Sequence, residues 1–284
     1  MKVAVELQPD QQAARWDHHV AVYETVFEPL TSAFARRALD RLDLHANDRL
    51  IDIGAGSGGA ALMAAAKGAR VFAVDASPRM VARLRERAVA RPLAGRIEAE
   101  IMDGMALKLP DASFDAAISV FGVILFPDAD LGMREIARVL KPGGRAAIVT
   151  WTATERYELV ARLQAAIAEV RGPQSSPQFL PAQLRFREEP AFRRLLTEAG
   201  LIVQDVVRIE ERWNLPSARW LAGHIAFAPG MSAMVEALGA DRAAVLDAFV
   251  SALERDQGRG EVALSAVAHA GLAVKPRAEN LPRP

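Results

Sequence analysis

Between residues 50 and 151, short apolar runs alternate with helix-forming stretches, and this rhythm restricts the fold more than any other feature of the chain. Runs at 50–53, 71–74, 96–101, 114–120 and 145–151 have strand length and strand composition. Residues 57–67, 77–90 and 130–140 between them have helical composition. Gly68 is placed to end the first helix, and Ser77-Pro78 to start the second with a Ser N-cap and a Pro in the first turn. Lys141-Pro142-Gly143-Gly144 stops the third. Alternation over this length predicts a parallel sheet with helices on both faces. Right-handed crossovers then bring the strand C-termini to one edge, where ligands bind.

The flanks follow a different pattern. Pro9-Asp10 opens a helical stretch in which Trp16, Val20, Tyr23 and Phe27 form one apolar stripe. Pro29 is expected to interrupt it, and Leu30, Phe34, Ala38 and Leu42 mark a second helix. Downstream, helices are expected at 155–171 and 188–199, strands at 201–211 and 261–274, and mostly helix over 216–255 with a break near Pro229-Gly230. The Pro/Gln/Ser-rich connection 172–186 is expected to be mobile and the tail disordered. The whole chain, 1–284, is read as one domain: N-terminal lid helices 1–44, a core 45–151, and a C-terminal half 152–275. That half carries a helical insertion at about 215–258 that walls the ligand edge, and a tail, 276–284, follows it.

Composition excludes several classes. With 284 residues and 51% hydrophobic content the chain can bury a full core. Lys+Arg and Asp+Glu both number 35, so no basic excess points to nucleic acid. There is no cysteine, hence no disulfide, thiolate zinc site or thiol nucleophile. The start of the chain lacks a signal-peptide pattern, and no apolar run reaches the roughly 18–20 residues of a membrane span. A cytoplasmic protein with no stable membrane association is the expectation.

The stretch LIDIGAGSGGAAL, residues 50–62, carries the chemistry. Its glycines permit positive φ and close backbone approach, and the helix after it offers free N–H groups and a positive dipole end. Gly54, Gly56 and Gly59 satisfy G-x-G-x-x-G, the dinucleotide spacing; Gly54, Gly56 and Gly58 satisfy G-x-G-x-G, the spacing that holds the methionyl end of S-adenosylmethionine (SAM). Asp75, at the end of the second strand, supplies an acceptor for ribose hydroxyls in either case. Two other acids break the tie. Asp52 lies inside the first strand, where a carboxylate suits an ammonium better than a phosphate. Asp103, just after the third strand, can accept from an exocyclic adenine amine.

The set LIDIGAGSGG, VFAVDASPRMV, IMDGMALKLPDASFDAAIS and REIARVLKPGGR resembles the class I SAM-dependent methyltransferases, most of all the small-molecule branch that includes the ubiquinone/menaquinone-biosynthesis type. The likeness is strong over 45–151 and looser outside. It implies an α/β Rossmann-like three-layer sandwich. The sheet would be seven-stranded and mostly parallel, with a C-terminal antiparallel hairpin, N-terminal lid helices and the helical insertion between the last two strands. It implies that Gly54, Ala55, Gly56, Ser57 and Gly58 wrap the methionyl end, with Asp52 facing its ammonium. Asp75 would take the ribose hydroxyls, with Ala76 and Met80 near the adenine and Met102, Asp103 and Gly104 bordering that ring. Ser119 and Val120 would lie near the transfer cleft, and Tyr23, on the lid, would approach the sulfonium. No metal is implied.

Methyl transfer from SAM is an in-line displacement, so alignment and exclusion of water matter most, and a base only where the nucleophile keeps its proton. His18 and His19, beside Tyr23, are the first base candidates. Trp151, Phe121 and His224 are the substrate-side candidates, and the aromatic content near the ligand edge suits an apolar small molecule. The leading reading is therefore methylation of a small organic acceptor. A catalytically silent SAM-binding regulatory or assembly protein, or an enzyme acting on a quinone or phospholipid headgroup, are the alternatives. A homodimer is left open.

Overall fold

The computed structural model describes residues 6–153, 156–173 and 181–277. Residues 174–180 of the connection 172–186, expected to be mobile, and the tail from 278 on, expected to be disordered, fall outside these residues.

Seven strands form one sheet: β1 Arg49–Ile53, β2 Arg70–Asp75, β3 Ile97–Ile101, β4 Phe114–Val120, β5 Leu140–Trp151, β6 Ile202–Leu215 and β7 Val262–Val274. Their order is β3-β2-β1-β4-β5-β7-β6. The first five are mutually parallel. β7 runs antiparallel to both β5 and β6, which is the C-terminal hairpin the resemblance implied. Strand order reverses between β1 and β4, so a crevice opens beyond their C-terminal ends.

Nine helices cover the sheet: α1 Glu28–Leu42, α2 Gly59–Ala66, α3 Pro78–Val89, α4 Ala129–Val139, α5 Glu158–Arg171, α6 Glu189–Glu198, α7 Ala218–Gly223, α8 Pro229–Glu236 and α9 Arg242–Gln257, counted among the described residues from Glu28 on. The last three form the insertion between β6 and β7. The Ser77 hydroxyl caps α3 by accepting from the Met80 N–H at 3.1 Å, and Gly68 takes φ +98° after α2, both as the sequence requires.

One expectation fails. Pro29 does not interrupt the N-terminal helical path. A π-helical turn, Tyr23–Phe27, leads directly into α1, and Pro29 falls in the first turn of α1. There its fixed φ suits the helix. Helix α1 then buries Leu30, Phe34, Ala38 and Leu42 against α2 and the sheet from β4 to β7. This lays the N-terminal segment across the strand ends, where the crevice lies.

Candidate functional site

The glycine loop hangs from the end of β2. The Gly54 and Ala55 N–H groups both donate to the Val74 carbonyl, at 2.9 and 3.0 Å. Gly54, Gly56 and Gly58 take φ of +70°, +54° and +97°, values that L side chains rarely adopt. Gly54 also meets Gly122 so closely that an added Cβ would lie 2.8 Å from its Cα.

Acids surround this loop. The Gly56 N–H donates to Asp75 Oδ2 and the Ser77 N–H to Asp75 Oδ1, both at 2.8 Å. Burial raises the Asp75 carboxyl from its ordinary range, and these two N–H groups partly offset that. Asp52 is 1% exposed, and its Oδ2 has no hydrogen-bond partner. Burial, reinforced by the charge of Asp75, pushes the Asp52 carboxyl up to about 7. On the other side, Glu28 accepts from the Ser57 hydroxyl at 2.6 Å and from Arg87 Nη1 at 2.7 Å, while the same Arg87 nitrogen donates to the Ser57 carbonyl at 2.8 Å. The loop is thereby fastened to both α1 and α3. Gly59 belongs to this fastening, since a Cβ there would lie 2.7 Å from Ser32 Oγ and 3.0 Å from Glu28 Oε1.

Beyond the loop lies a cavity of about 410 Å³. Gly54, Gly56, Asp75, Ala76 and Met80 line one part of it, and Met102, Asp103, Gly104 and Val120 continue that wall. Tyr23 reaches it from the N-terminal segment, Phe121 from the end of β4 and Trp151 from the end of β5. The sequence-predicted residues thus converge, with exceptions. Ser57 and Gly58 are buried beneath the loop, and neither they nor Ala55 line the cavity. Asp52, Ala55 and Ser57 instead line a small adjoining pocket that shares Tyr23, Gly54 and Val120 with it. Ser119 is a staple: its hydroxyl donates to the Ile53 carbonyl at 2.7 Å and accepts from the Val123 N–H at 3.0 Å.

None of the three histidine candidates lines the cavity. His18 is exposed, His19 pairs its Nδ1 with the Arg15 carbonyl at 2.8 Å, and His224 pairs its Nδ1 with the Trp220 carbonyl at 2.7 Å while stacking on that indole. Local backbone acceptors one helical turn away hold two of them at the helix surface. Tyr23 serves both roles considered for it. It lines the cavity, and it packs edge-on against Trp16 and Phe27 with ring centroids 5.8 Å apart in each pair. Its hydroxyl meets Thr31 Oγ1 at 3.1 Å, and burial raises its pKa, so it stays a neutral phenol.

Much of the cavity is aromatic. The Phe121 ring stacks on Trp151 at 3.8 Å and 9°, and Trp151 on Tyr157 at 5.0 Å and 4°. Phe121 holds φ +58°, a strained conformation for a bulky residue, and it does so at the cavity wall. Phe227 stacks on Phe27 at 4.6 Å, and Ala228 and Met231 extend that side. Sequence reasoning misses Tyr157, Phe227, Met231 and Asp10 as site residues. One signal was available: the chain has only two tyrosines, and both line the cavity.

Residues 51–148 match the family model described as a methyltransferase domain. The chain is 38% identical over 134 residues to the 27-O-demethylrifamycin SV methyltransferase of Amycolatopsis mediterranei, a stretch that is 47% of this chain and 48% of that protein. It is 32% identical over 164 residues to the ubiquinone/menaquinone biosynthesis C-methyltransferase UbiE of Geobacter sulfurreducens, covering 54% and 64%. The chain spans about half the length of the first curated relatives it matches. Among solved structures, the [4+2]-cyclase SpnF superposes over 97% of this chain and 100% of its own with TM-score 0.62 and 21% identity, a likeness of fold.

Proposed function

We propose that this chain, whose residues 51–148 match a methyltransferase domain, is a class I SAM-dependent methyltransferase that transfers the methyl group of SAM to a small, largely apolar acceptor in the cytoplasm. The observation that carries this reading is the unpartnered Oδ2 of Asp52 under the glycine loop. A buried carboxylate oxygen with no partner is costly unless a cation reaches it. The ammonium of SAM is such a cation, and a pyrophosphate is not.

The other residues fit the same ligand. Asp75 spends one lone pair per oxygen on Gly56 and Ser77 and keeps the others for ribose hydroxyls. Ala76, Met80, Met102 and Gly104 would hold the adenine, with Asp103 accepting from its amine. When bound, SAM supplies a methyl group on a sulfonium leaving group. The chain's part is to orient it through the loop acids, to hold the acceptor on the aromatic wall, and to close the crevice with the N-terminal segment so that water is excluded. Among the described residues no helix is long and apolar enough to cross a membrane.

Parallel calorimetric titration with SAM, S-adenosylhomocysteine and NAD tests this reading. Micromolar binding of the first two and none of NAD is expected. NAD binding without SAM binding would overturn it.

A further inference from the structure

Only five ionisable side chains line the cavity among the described residues: Asp10, Tyr23, Asp75, Asp103 and Tyr157. No Lys, Arg, His or Glu is among them. An acceptor that carried a carboxylate or phosphate would meet three carboxylates and no cationic side chain among the described residues. This lining favours an acceptor that is neutral where it enters this space.

Two of the carboxylates are committed elsewhere. Asp75 holds the glycine loop and the start of α3 with its two oxygens. Asp103 is exposed, and its Oδ1 accepts from the Met105 N–H at 2.8 Å. Asp10 differs from both. It sits on the N-terminal segment, across the cavity wall from α8, and is only partly buried. Its Oδ1 accepts from the Gly230 N–H at 2.7 Å, and its backbone carbonyl accepts from the Trp16 indole N–H at 2.9 Å. A Cβ at position 230 would collide with the Asp10 carboxylate where it now lies, so the glycine makes room for it. The carboxylate is thus fixed by one oxygen beside the apolar wall of Phe227, Ala228 and Met231.

Resting on the methyltransferase reading, we propose that Asp10 is the proton acceptor for a neutral, hydroxyl-bearing ring compound that occupies the apolar end of the cavity. The hydroxyl oxygen forms the bond to the methyl carbon. The carbon–sulfur bond breaks with its electron pair remaining on sulfur, and the hydroxyl proton passes to the Asp10 carboxylate. The electrostatic setting favours this role. Burial raises the Asp10 carboxyl, with the Gly230 N–H and the charge of His19 opposing, and a carboxyl moved toward neutral pH is a stronger base. The other titratable groups on the cavity are the two phenols and the two acids already named; Asp75 has both oxygens engaged by backbone N–H groups, and Asp103 is exposed.

The test uses the full chain with three probes of one ring skeleton: 1-naphthol, 1-naphthoate and 1-naphthyl phosphate. Binding to the S-adenosylhomocysteine complex is measured by calorimetry, and transfer by isotopically labelled methyl groups. Naphthol is expected to bind at least about tenfold more tightly than either anion and to receive label. Asp10→Asn keeps an oxygen for the Gly230 N–H and removes the base. It is expected to lower kcat by about a hundredfold or more, to erase the acid limb of the pH profile, and to leave SAM affinity within about twofold. Equal or preferred binding of an anion, no binding or labelling of naphthol, or an Asp10→Asn enzyme with wild-type kcat and an intact acid limb would each overturn the proposal. Loss of SAM binding in Asp10→Asn would reduce Asp10 to a latch and overturn it as well. Absence of SAM binding by the wild-type chain would instead strike the underlying methyltransferase reading.

Discussion

Replacing Asp52 by asparagine isolates the buried carboxyl that, among the described residues, keeps an oxygen without a hydrogen-bond partner. Burial and the neighbouring Asp75 carry the Asp52 carboxyl from 3.8 to about 7. At about 1.4 kcal/mol for each tenfold change, ionised Asp52 costs the folded state on the order of 4 kcal/mol. The sign follows from proton counts. Between roughly pH 4 and 7, the folded chain holds a proton on Asp52 that the unfolded chain has released, so stability falls as pH rises through that window and the loss is complete above it. The Asp52→Asn variant has no such slope. Urea unfolding without SAM should therefore find it about as stable as wild type only at about pH 3.5, below the unfolded-state value of the carboxyl. At about pH 8.5 it should be more stable, by up to roughly 4 kcal/mol. Binding should move the other way. Wild-type affinity for SAM should rise as pH passes through about 7, where Asp52 ionises and gains an ammonium partner. The Asp52→Asn variant should bind roughly tenfold or more weakly at about pH 8.5 and show no such rise. A variant that is less stable than wild type at that pH, or that binds SAM equally well, would refute the reasoning. It would mean that the carboxylate is already satisfied in the free chain.

Other perturbations separate the parts of the site. Asp75→Ala should weaken SAM binding by about tenfold or more, read by calorimetry, because it removes the acceptor of two loop N–H groups together with the ribose contact. Gly59→Ala should lower stability by about 1–3 kcal/mol in urea through overpacking against Ser32 and Glu28, with NAD binding still absent. Glu28→Ala leaves Arg87, 13% exposed, without its main partner, and should cost about 3–5 kcal/mol in the same measurement.

The parts of this molecule that were legible in its sequence are those set by neighbours along the chain. Ser77-Pro78 announces α3 because a cap and a first-turn proline act within four residues. Asp75 and the three glycines of the loop are legible because strand length and turn chemistry fix their places. Pro29 misleads because the π turn before it is a tertiary compromise, made while Phe27 packs on Trp151, Trp213 and Phe227. The histidines attract attention as the usual bases, yet the nearest backbone carbonyls claim His19 and His224. Asp10 shows only as a helix opener because its partner, Gly230, lies 220 residues away and nothing local signals the meeting.

The ambiguity of the glycine loop is resolved by what lies beneath it rather than by its spacing. Gly59 completes the dinucleotide fingerprint in letters, yet its missing Cβ makes room for α1. The Gly56 N–H, one of those a pyrophosphate would need, is already turned to Asp75. Asp52, Asp75 and Glu28 place three carboxylates around the loop, and Arg87, the cation beside it, is already matched by Glu28 and Glu24. A doubly charged pyrophosphate would add repulsion to each of these carboxylates, while a ligand with an ammonium and a sulfonium relieves it. The same excess of acid continues along the cavity to Asp10 and Asp103. One distribution of charge therefore selects a cationic methyl donor at one end and refuses an anionic acceptor at the other.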